Sequence, residues 1–253
     1  MRRKVWAVAA AIVLIAAGGL YVTYRFLPIK RDMYTPFGEH YRGMTKNGRF
    51  DGQGRLTFPA GGPWVFYEGE FKNNLRHGQG RQIWKIGQQY QGQWRNGLAS
   101  GRGLVTFAPD WDELSYEGEL VDFVYHGQGT LIWKNGQKYE GQWQNGQMHG
   151  RGLVTFAPDK GKLSYEGELA DNQYHGWGVM IWKNGTRYEG QWRNGQANGS
   201  GTMFYPPDDP EGRASCTGDF VDGECGGDGL IIWRDDRKHE GHRPEAIVSD
   251  SGV

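Results

Sequence analysis

The sequence predicts an all-β protein built of tandem hairpins, preceded by one N-terminal transmembrane α-helix. Three observations carry this. An aromatic–glycine motif returns at a fixed period through most of the 253 residues. Within each copy the residues alternate in polarity with period two, the signature of a half-buried strand. Ahead of the copies, Val5 to Tyr24 gives twenty residues without a charge.

The N-terminal run is taken first. Twenty helical residues span about 30 Å, the hydrocarbon thickness of a bilayer. Tyr21 and Tyr24 fall where an interfacial aromatic belt would lie. A cleaved signal peptide is the alternative, with Ala16-Ala17-Gly18 as its small-residue site. The apolar run exceeds the usual signal core of about 7–15 residues, which favours an uncleaved, single-pass anchor. Arg2, Arg3 and Lys4 abut the run, while Arg25, Lys30 and Arg31 follow it. The leading charges place the N-terminus inside and the repeats on the extracytoplasmic (periplasmic) side. The expected organisation is a membrane anchor or signal-like helix at 1–27, a polar linker at 28–40 carrying Pro28 and Pro36, repeats at 41–241, and a flexible tail at 242–253.

Charge is balanced at 29 Lys+Arg against 29 Asp+Glu, and setting aside Arg2, Arg3 and Lys4 leaves 26 against 29. A mildly acidic body argues against a nucleic-acid partner and against docking on anionic lipid by net charge. The 42 glycines beside 14% aromatics suggest short strands and tight turns rather than a linker.

Tyrosine followed two residues later by glycine starts each copy, at Tyr41, Tyr67, Tyr90, Tyr116, Tyr139, Tyr165 and Tyr188; Cys216 and His239 continue the series. Spacings of 26 and 23 alternate, so the full period is a pair of 49, stretched to 51 only at Tyr188. A fixed period in the twenties signals a repeat array. Tyr139-Glu140-Gly141-Gln142-Trp143 places Tyr, Gly and Trp on one face of a strand. Asn145-Gly146 is a hairpin turn, and Gly150, Gly152, Val154 and Phe156 line the same face of the return strand. Tyr67, Gly69, Gly78, Gly80, Tyr165, Gly167, Tyr188, Gly190 and Trp192 hold equivalent positions. Glycine weakens an isolated strand, so its regular pairing with aromatics predicts rings lying flat over bare backbone.

The pattern Tyr-Glu-Gly-x-Trp, x-Asn-Gly, x-His-Gly-x-Gly resembles the MORN repeat (membrane occupation and recognition nexus), best at Tyr67–Gly80, Tyr139–Gly152 and Tyr165–Gly178. Eight copies and a partial ninth cover 41–241. Ser100 and Asn198 depart from the usual His, and Cys216-Thr217-Gly218 from Tyr-Glu-Gly; an irregular last unit suits a cap. The resemblance implies an elongated antiparallel meander, which should twist and curve. It also implies a non-enzymatic scaffold binding other proteins, with no cofactor. A glycan, cell-wall or lipid-headgroup binder is the alternative, because tryptophan and tyrosine ladders flanked by Asn, Gln, Asp and Glu also suit sugar rings.

No chemistry stands out from the repeat. Glu68/Glu70, Glu117/Glu119 and Glu166/Glu168 recur at fixed offsets on the polar face of a strand, whereas a catalytic pair occurs once, in a cleft. His77, His126, His149 and His175 share one offset. Equivalent positions in adjacent copies lie two strands, about 9.6 Å, apart, too far to share zinc; a turn histidine bonded to its own hairpin is expected. Gly127/Gly129 lacks the strand–helix context of a phosphate loop. The sequons at Asn184 and Asn198 fall at turns that need Asn-Gly anyway. Cys216 and Cys225 sit towards opposite ends of a hairpin, so free thiols are expected.

Every second copy is longer, with the excess at 59–66, 108–115, 157–164 and 206–215. These connections carry Pro59, Pro63, Trp64, Pro109, Trp111, Pro158, Pro206 and Pro207 and should share one edge. Loops carry recognition and an exposed Trp anchors interfaces, so Pro63, Trp64, Pro109, Trp111, Pro158, Pro206 and Pro207 are the candidate partner-binding residues. The alternative is that these loops only set the curvature of the sheet.

Overall fold

Asparagine and aspartate decide where this chain turns. In the computed structural model, residues 28–226 and 229–234 are described with their side chains, and 9–16, 19–26 and 238–240 as backbone strands. They divide into two compact units, Met1–Val124 and Tyr125–Val253. The expected membrane helix over Val5–Tyr24 lies outside the residues described with side chains. Where backbone is described there, Ala9–Ala16 and Gly19–Phe26 run as an antiparallel pair. No helix among the described residues is long and apolar enough to cross a membrane.

The first unit is an antiparallel meander in which each strand pairs with the next: Ile29–Tyr34, His40–Lys46, Arg49–Thr57, Trp64–Lys72, Leu75–Trp84, Gln89–Arg95, Leu98–Thr106 and Glu113–Val121. Ile29–Tyr34 falls within the stretch expected as linker; it is a strand laid against the first repeat, with Arg31 opposite Gly43. The second unit continues in the same way from Lys138–Gln144 through Gln147–Thr155, Lys162–Ala170, Gln173–Trp182, Arg187–Arg193, Gln196–Phe204 and Arg213–Val221. Its last full strand pairs with both Glu224–Cys225 and Leu230–Trp233.

At one end of the strands the turns are two residues long, and both residues take positive φ: Asn47 at 52° and Gly48 at 77°, Asn145 at 51° and Gly146 at 82°. These are the primed hairpin turns whose twist matches the strands. Asn or Asp always leads, because its short side chain tolerates the left-handed region. From Asn73-Asn74 onward these turns also reach back to the preceding hairpin. The second turn residue donates its N–H to a carbonyl there, as in Asn74 to Phe50 (2.9 Å), Gly97 to Arg76 (2.9 Å), Asn172 to Met148 (3.1 Å) and Gly195 to Tyr174 (3.0 Å).

One face of each sheet carries the core. Tyr41, Tyr67, Tyr90, Tyr116, Tyr139, Tyr165 and Tyr188 are buried, as are Trp94, Trp143 and Trp192. Glycines face one another across the strands, Gly43–Gly54–Gly69–Gly80–Gly92–Gly103–Gly118 in the first unit and Gly129–Gly141–Gly152–Gly167–Gly178–Gly190–Gly201–Gly218 in the second. The expected ring over bare backbone is there, and it is tyrosine. A methyl placed on Gly152 would meet Oη and Cζ of Tyr139 at 2.6 and 2.7 Å. Each tyrosine hydroxyl donates to the carbonyl three residues on, over 2.6 to 3.0 Å in all seven copies. Burial pushes the Tyr139 phenol up to about 12. Tryptophan closes the packing: Trp94, Trp143 and Trp192 stand edge-on to Tyr90, Tyr139 and Tyr188. Their indole N–H groups donate to Gly80, Gly129 and Gly178 at 3.0 to 3.1 Å.

The other recurrent glycine has a different cause. Gly150 (φ 63°) sits in a bulge between the pairs Gly141–Gly152 and Trp143–Met148. The Gln142 amide oxygen folds over it and accepts the Arg151 N–H at 3.1 Å. Glu70, Gln93, Glu168 and Gln191 do the same for Gln79, Arg102, Trp177 and Ser200.

Free thiols at Cys216 and Cys225 were expected and are not found. The two form a disulfide with Cα atoms 6.5 Å apart. The physical reason lies in the repeat. Cys216 holds the tyrosine position, and Cys225 the position nine residues on, which the bulge folds back over it. Tyr41 stacks on Phe50 at 3.7 Å and Tyr165 on Tyr174 at 4.0 Å through the same two positions. A covalent bond stands in the last repeat where earlier ones stack rings.

Candidate functional site

The long connections emerge at the strand ends opposite the two-residue turns, and each is tied down. Backbone bonds close their bases, from Phe58 to Val65 (3.0 Å), Phe107 to Leu114 (3.2 Å), Phe156 to Leu163 (3.1 Å) and Tyr205 to Ala214 (3.0 Å). Proline packs on the glycine of the neighbouring short turn, as Pro109 does beside Gly87 and Pro158 beside Gly136. A cation from the following turn reaches the proline carbonyl: Lys183 Nζ to Pro158 and Arg234 Nη2 to Pro206. The 206–215 connection is further locked by Asp209, whose carboxylate accepts from the N–H, Nε and Nη2 of Arg213 at 3.0 to 3.1 Å. Arg213 holds that carboxyl below its ordinary range and itself lies 3.9 Å over the Tyr205 ring.

The candidate residues therefore separate. Pro206 is buried and packs beside Gly185, so it cannot touch a partner; this corrects the expectation for it. Pro63, Pro109, Pro158 and Pro207 are exposed. Trp64 and Trp111 are 38% and 46% exposed. Each leans on the aromatic at its loop's base, Trp64 on Phe58 at 5.1 Å and Trp111 on Phe107 at 5.6 Å. Both are in the first unit, one indole face held and the other open.

A second feature lies in the second unit, on the face away from the tyrosines. Gln128, Glu140, Gln142, Arg151, Leu153, Glu166, Glu168, Trp177 and Val179 surround an open trough of about 780 Å³. The backbone of Gly141, Gly152 and Gly167 forms its floor. Registers place Glu140 opposite Leu153, Leu153 opposite Glu166 and Glu166 opposite Val179, so all these side chains share one face. Lys138 pairs with Glu140 at 2.7 Å. Trp177 is 50% exposed. The long-connection reasoning did not reach Trp177, yet the repeat marks it: Gln79 and Gln128 stand 98 and 49 residues earlier in the equivalent place.

In two of the three carboxylate pairs one member, Glu70 or Glu168, caps a bulge. His77 and His175 stand opposite those two glutamates. The expected histidine bond within the hairpin is not made: among the described residues none of the four repeat imidazoles has a hydrogen-bond partner. No group of three or more metal-ligating side chains gathers among the described residues.

The MORN-repeat model matches residues 41–62, 67–89, 90–110, 116–138, 139–158, 165–187 and 188–209. The unit at Cys216, where the tyrosine is lost, is outside the match. No curated protein sequence matches the chain. Among solved structures, the TCP10 domain of Danio rerio CPAP, in complex with a peptide of Danio rerio STIL, is 13% identical at TM-score 0.36; the match covers 76% of this chain and 94% of that one. The TCP domain of Drosophila melanogaster SAS-4 (dCPAP), in complex with a proline-rich motif of Ana2 (dSTIL), is 15% identical at TM-score 0.24, over 78% and 95% of the two chains. Seven matched repeats span more than half of the sequence, and each contains one of the seven tyrosines that donate to the carbonyl three residues on: the chain belongs to the MORN-repeat family.

Proposed function

We propose that this protein is a non-enzymatic scaffold, anchored in a membrane through residues 1–27, that holds a protein partner at the long-connection edge of its first unit. The observation that carries this is the pair Trp64 and Trp111. Each is braced on one face and open on the other, so a partner gains apolar contact without first ordering the loop. Four strands separate the two loops, about 19 Å, a separation suited to one extended partner. The uncharged Val5–Tyr24 run supports the anchor. The Cys216–Cys225 disulfide supports an oxidising, extracytoplasmic side for the repeats.

The test uses the full chain in detergent. Partners are cross-linked in native membranes, identified, and their affinity measured against the parent and the Trp64→Ser/Trp111→Ser variant. Loss of about tenfold or more at an unchanged melting temperature is the expected result. Equal affinity for the two proteins overturns the loop assignment. Protein recovered in the soluble fraction with a mature start near Gly19 overturns the anchor.

A further inference from the structure

The trough of the second unit is used by nothing in the scaffold reading. We propose that it is a carbohydrate site that takes a short neutral oligosaccharide, with one sugar ring stacked on Trp177.

Trp177 is the departure that calls for a cause. Its position, between the two glycines of the bulge strand, is Gln53, Gln79, Arg102, Gln128, Arg151 and Ser200 in other copies. Each of those copies carries a polar side chain there. The indole is half exposed and has no ring partner among the described residues. Its backbone N–H serves the bulge through Glu168 at 3.4 Å, which any residue would supply. An aromatic face presented to water suits the C–H face of a pyranose, since the ring's negative face attracts weakly positive hydrogens.

The surrounding groups fit hydroxyls. A hydroxyl both donates and accepts, so its site needs both kinds of partner. Glu166 makes no hydrogen bond or ion pair among the described residues and can accept. Gln142 commits its oxygen to the Arg151 N–H, which leaves its NH₂ to donate. Arg151 has its guanidinium free to donate, and Gln128 offers both functions.

Charge decides the ligand class. Glu140 is offset by Lys138, Glu168 is engaged at the bulge, and Arg151 stands opposite Glu168 in register. Three carboxylates, Glu140, Glu166 and Glu168, against Arg151 and the flanking Lys138 leave one net negative charge, that of Glu166, at the trough. A cationic peptide would meet Arg151 and a phosphate would meet Glu166; a neutral polyol meets neither penalty. Length agrees, because the trough crosses five strands, about 19 Å, and its glycine floor leaves a depression without side chains.

The experiment uses the full chain in a non-glycosidic detergent and isothermal titration with β-1,4-linked tetramers of N-acetylglucosamine and of glucose, with tetralysine as the alternative probe. Trp177→Gln restores the residue of three other copies, Gln53, Gln79 and Gln128, and should melt like the parent. One of the tetramers should bind the parent, weaken at least about tenfold in Trp177→Gln, and survive in Trp177→Phe within about threefold. Absence of binding by both sugars overturns the proposal, and so does sugar binding that ignores Trp177→Gln. Tetralysine binding that depends on Trp177 while neither sugar binds makes the trough a peptide site and likewise overturns it. Sugar binding should be unaffected by Trp64→Ser/Trp111→Ser, so failure here leaves the scaffold reading standing.

Discussion

Two glycines one strand apart should respond oppositely when their covering ring is removed. The nearest atoms that a methyl at Gly152 would meet all belong to the Tyr139 ring, with Oη at 2.6 Å and Cζ at 2.7 Å. A methyl at Gly141 would meet Tyr139 Oη at 2.5 Å but also backbone, Gly152 Cα at 2.6 Å and Arg151 O at 2.7 Å. Overpacking of this kind costs about 1–3 kcal/mol. Tyr139→Ala deletes a fully buried ring and costs about 3–5 kcal/mol by itself. In that background Gly152→Ala should cost nothing and gain about 0.5–1 kcal/mol, because alanine gives up less backbone entropy than glycine. The cycle for Gly152 and Tyr139 should thus show a coupling of about 2–3 kcal/mol. Gly141→Ala should stay costly in both backgrounds, since the backbone it strikes remains. Repeat arrays depart from two-state unfolding, so the energies are best read locally, from amide exchange in Lys138–Gln144 and Gln147–Thr155. Equal cost for Gly152→Ala with and without Tyr139 would refute the ring-over-glycine account.

Trp143→Ala should lower local stability by about 3–5 kcal/mol, whereas Trp143→Phe, which keeps a ring but loses the bond to Gly129, should cost about 1 kcal/mol beyond lost packing; thermal melts of the two variants separate these. Reduction of Cys216–Cys225, which closes a short loop, should loosen the last repeat by about 2–3 kcal/mol, with exchange rising in Arg213–Val221 and not in Lys138–Gln144. The buried phenols of Tyr41, Tyr90, Tyr139 and Tyr188 are pushed up to about 12, against about 10 in an unfolded chain. Below pH about 10 both states keep these protons, and above it only the unfolded chain releases them, so stability should fall as pH rises from about 10 towards 12. A melting temperature constant across that window contradicts the burial.

Much of this was legible in the sequence because repetition multiplies weak signals. A single Tyr-x-Gly says little, but seven in phase give the strands, the shared face and the turns. What escaped depended on geometry that spacing does not encode. The disulfide was missed because an extended hairpin keeps residues nine apart at a distance, whereas the bulge folds the second back over the first. Asp122-Phe123 takes the same left-handed turn as Asn-Gly, with Phe123 at φ 69°. That residue is held by ring contacts with Trp84, Tyr90 and Trp94 and by its N–H bond to Ala99 at 2.9 Å; no turn propensity predicts it. Of the candidate loop residues, exposure of Trp64 and Trp111 was foreseeable, but the burial of Pro206 follows from packing on Gly185. Trp177 was visible only as an exception to the repeat, and exceptions gain meaning once the regular positions have explained themselves.

The turn that reaches back gives the chain a direction. In Asn74 to Phe50 and Gly195 to Tyr174 alike, the later hairpin supplies the proton and the earlier one the carbonyl. A newly formed hairpin therefore finds a waiting acceptor on the one already made, and where the turn residue is Asn74 or Asn172 its side chain accepts the N–H of Phe50 or Met148 in return. As the chain leaves the ribosome N-terminus first, each hairpin can lock onto finished structure like a tooth engaging a ratchet, through contacts short in sequence and so quick to close. The same arithmetic makes the two-hairpin block of 49 residues the natural unit of gain or loss. A duplicated block would meet at its new seam the same ring, glycine and loop partners that it met at the old one, while a lone hairpin would set long connection beside long connection and jam the mechanism.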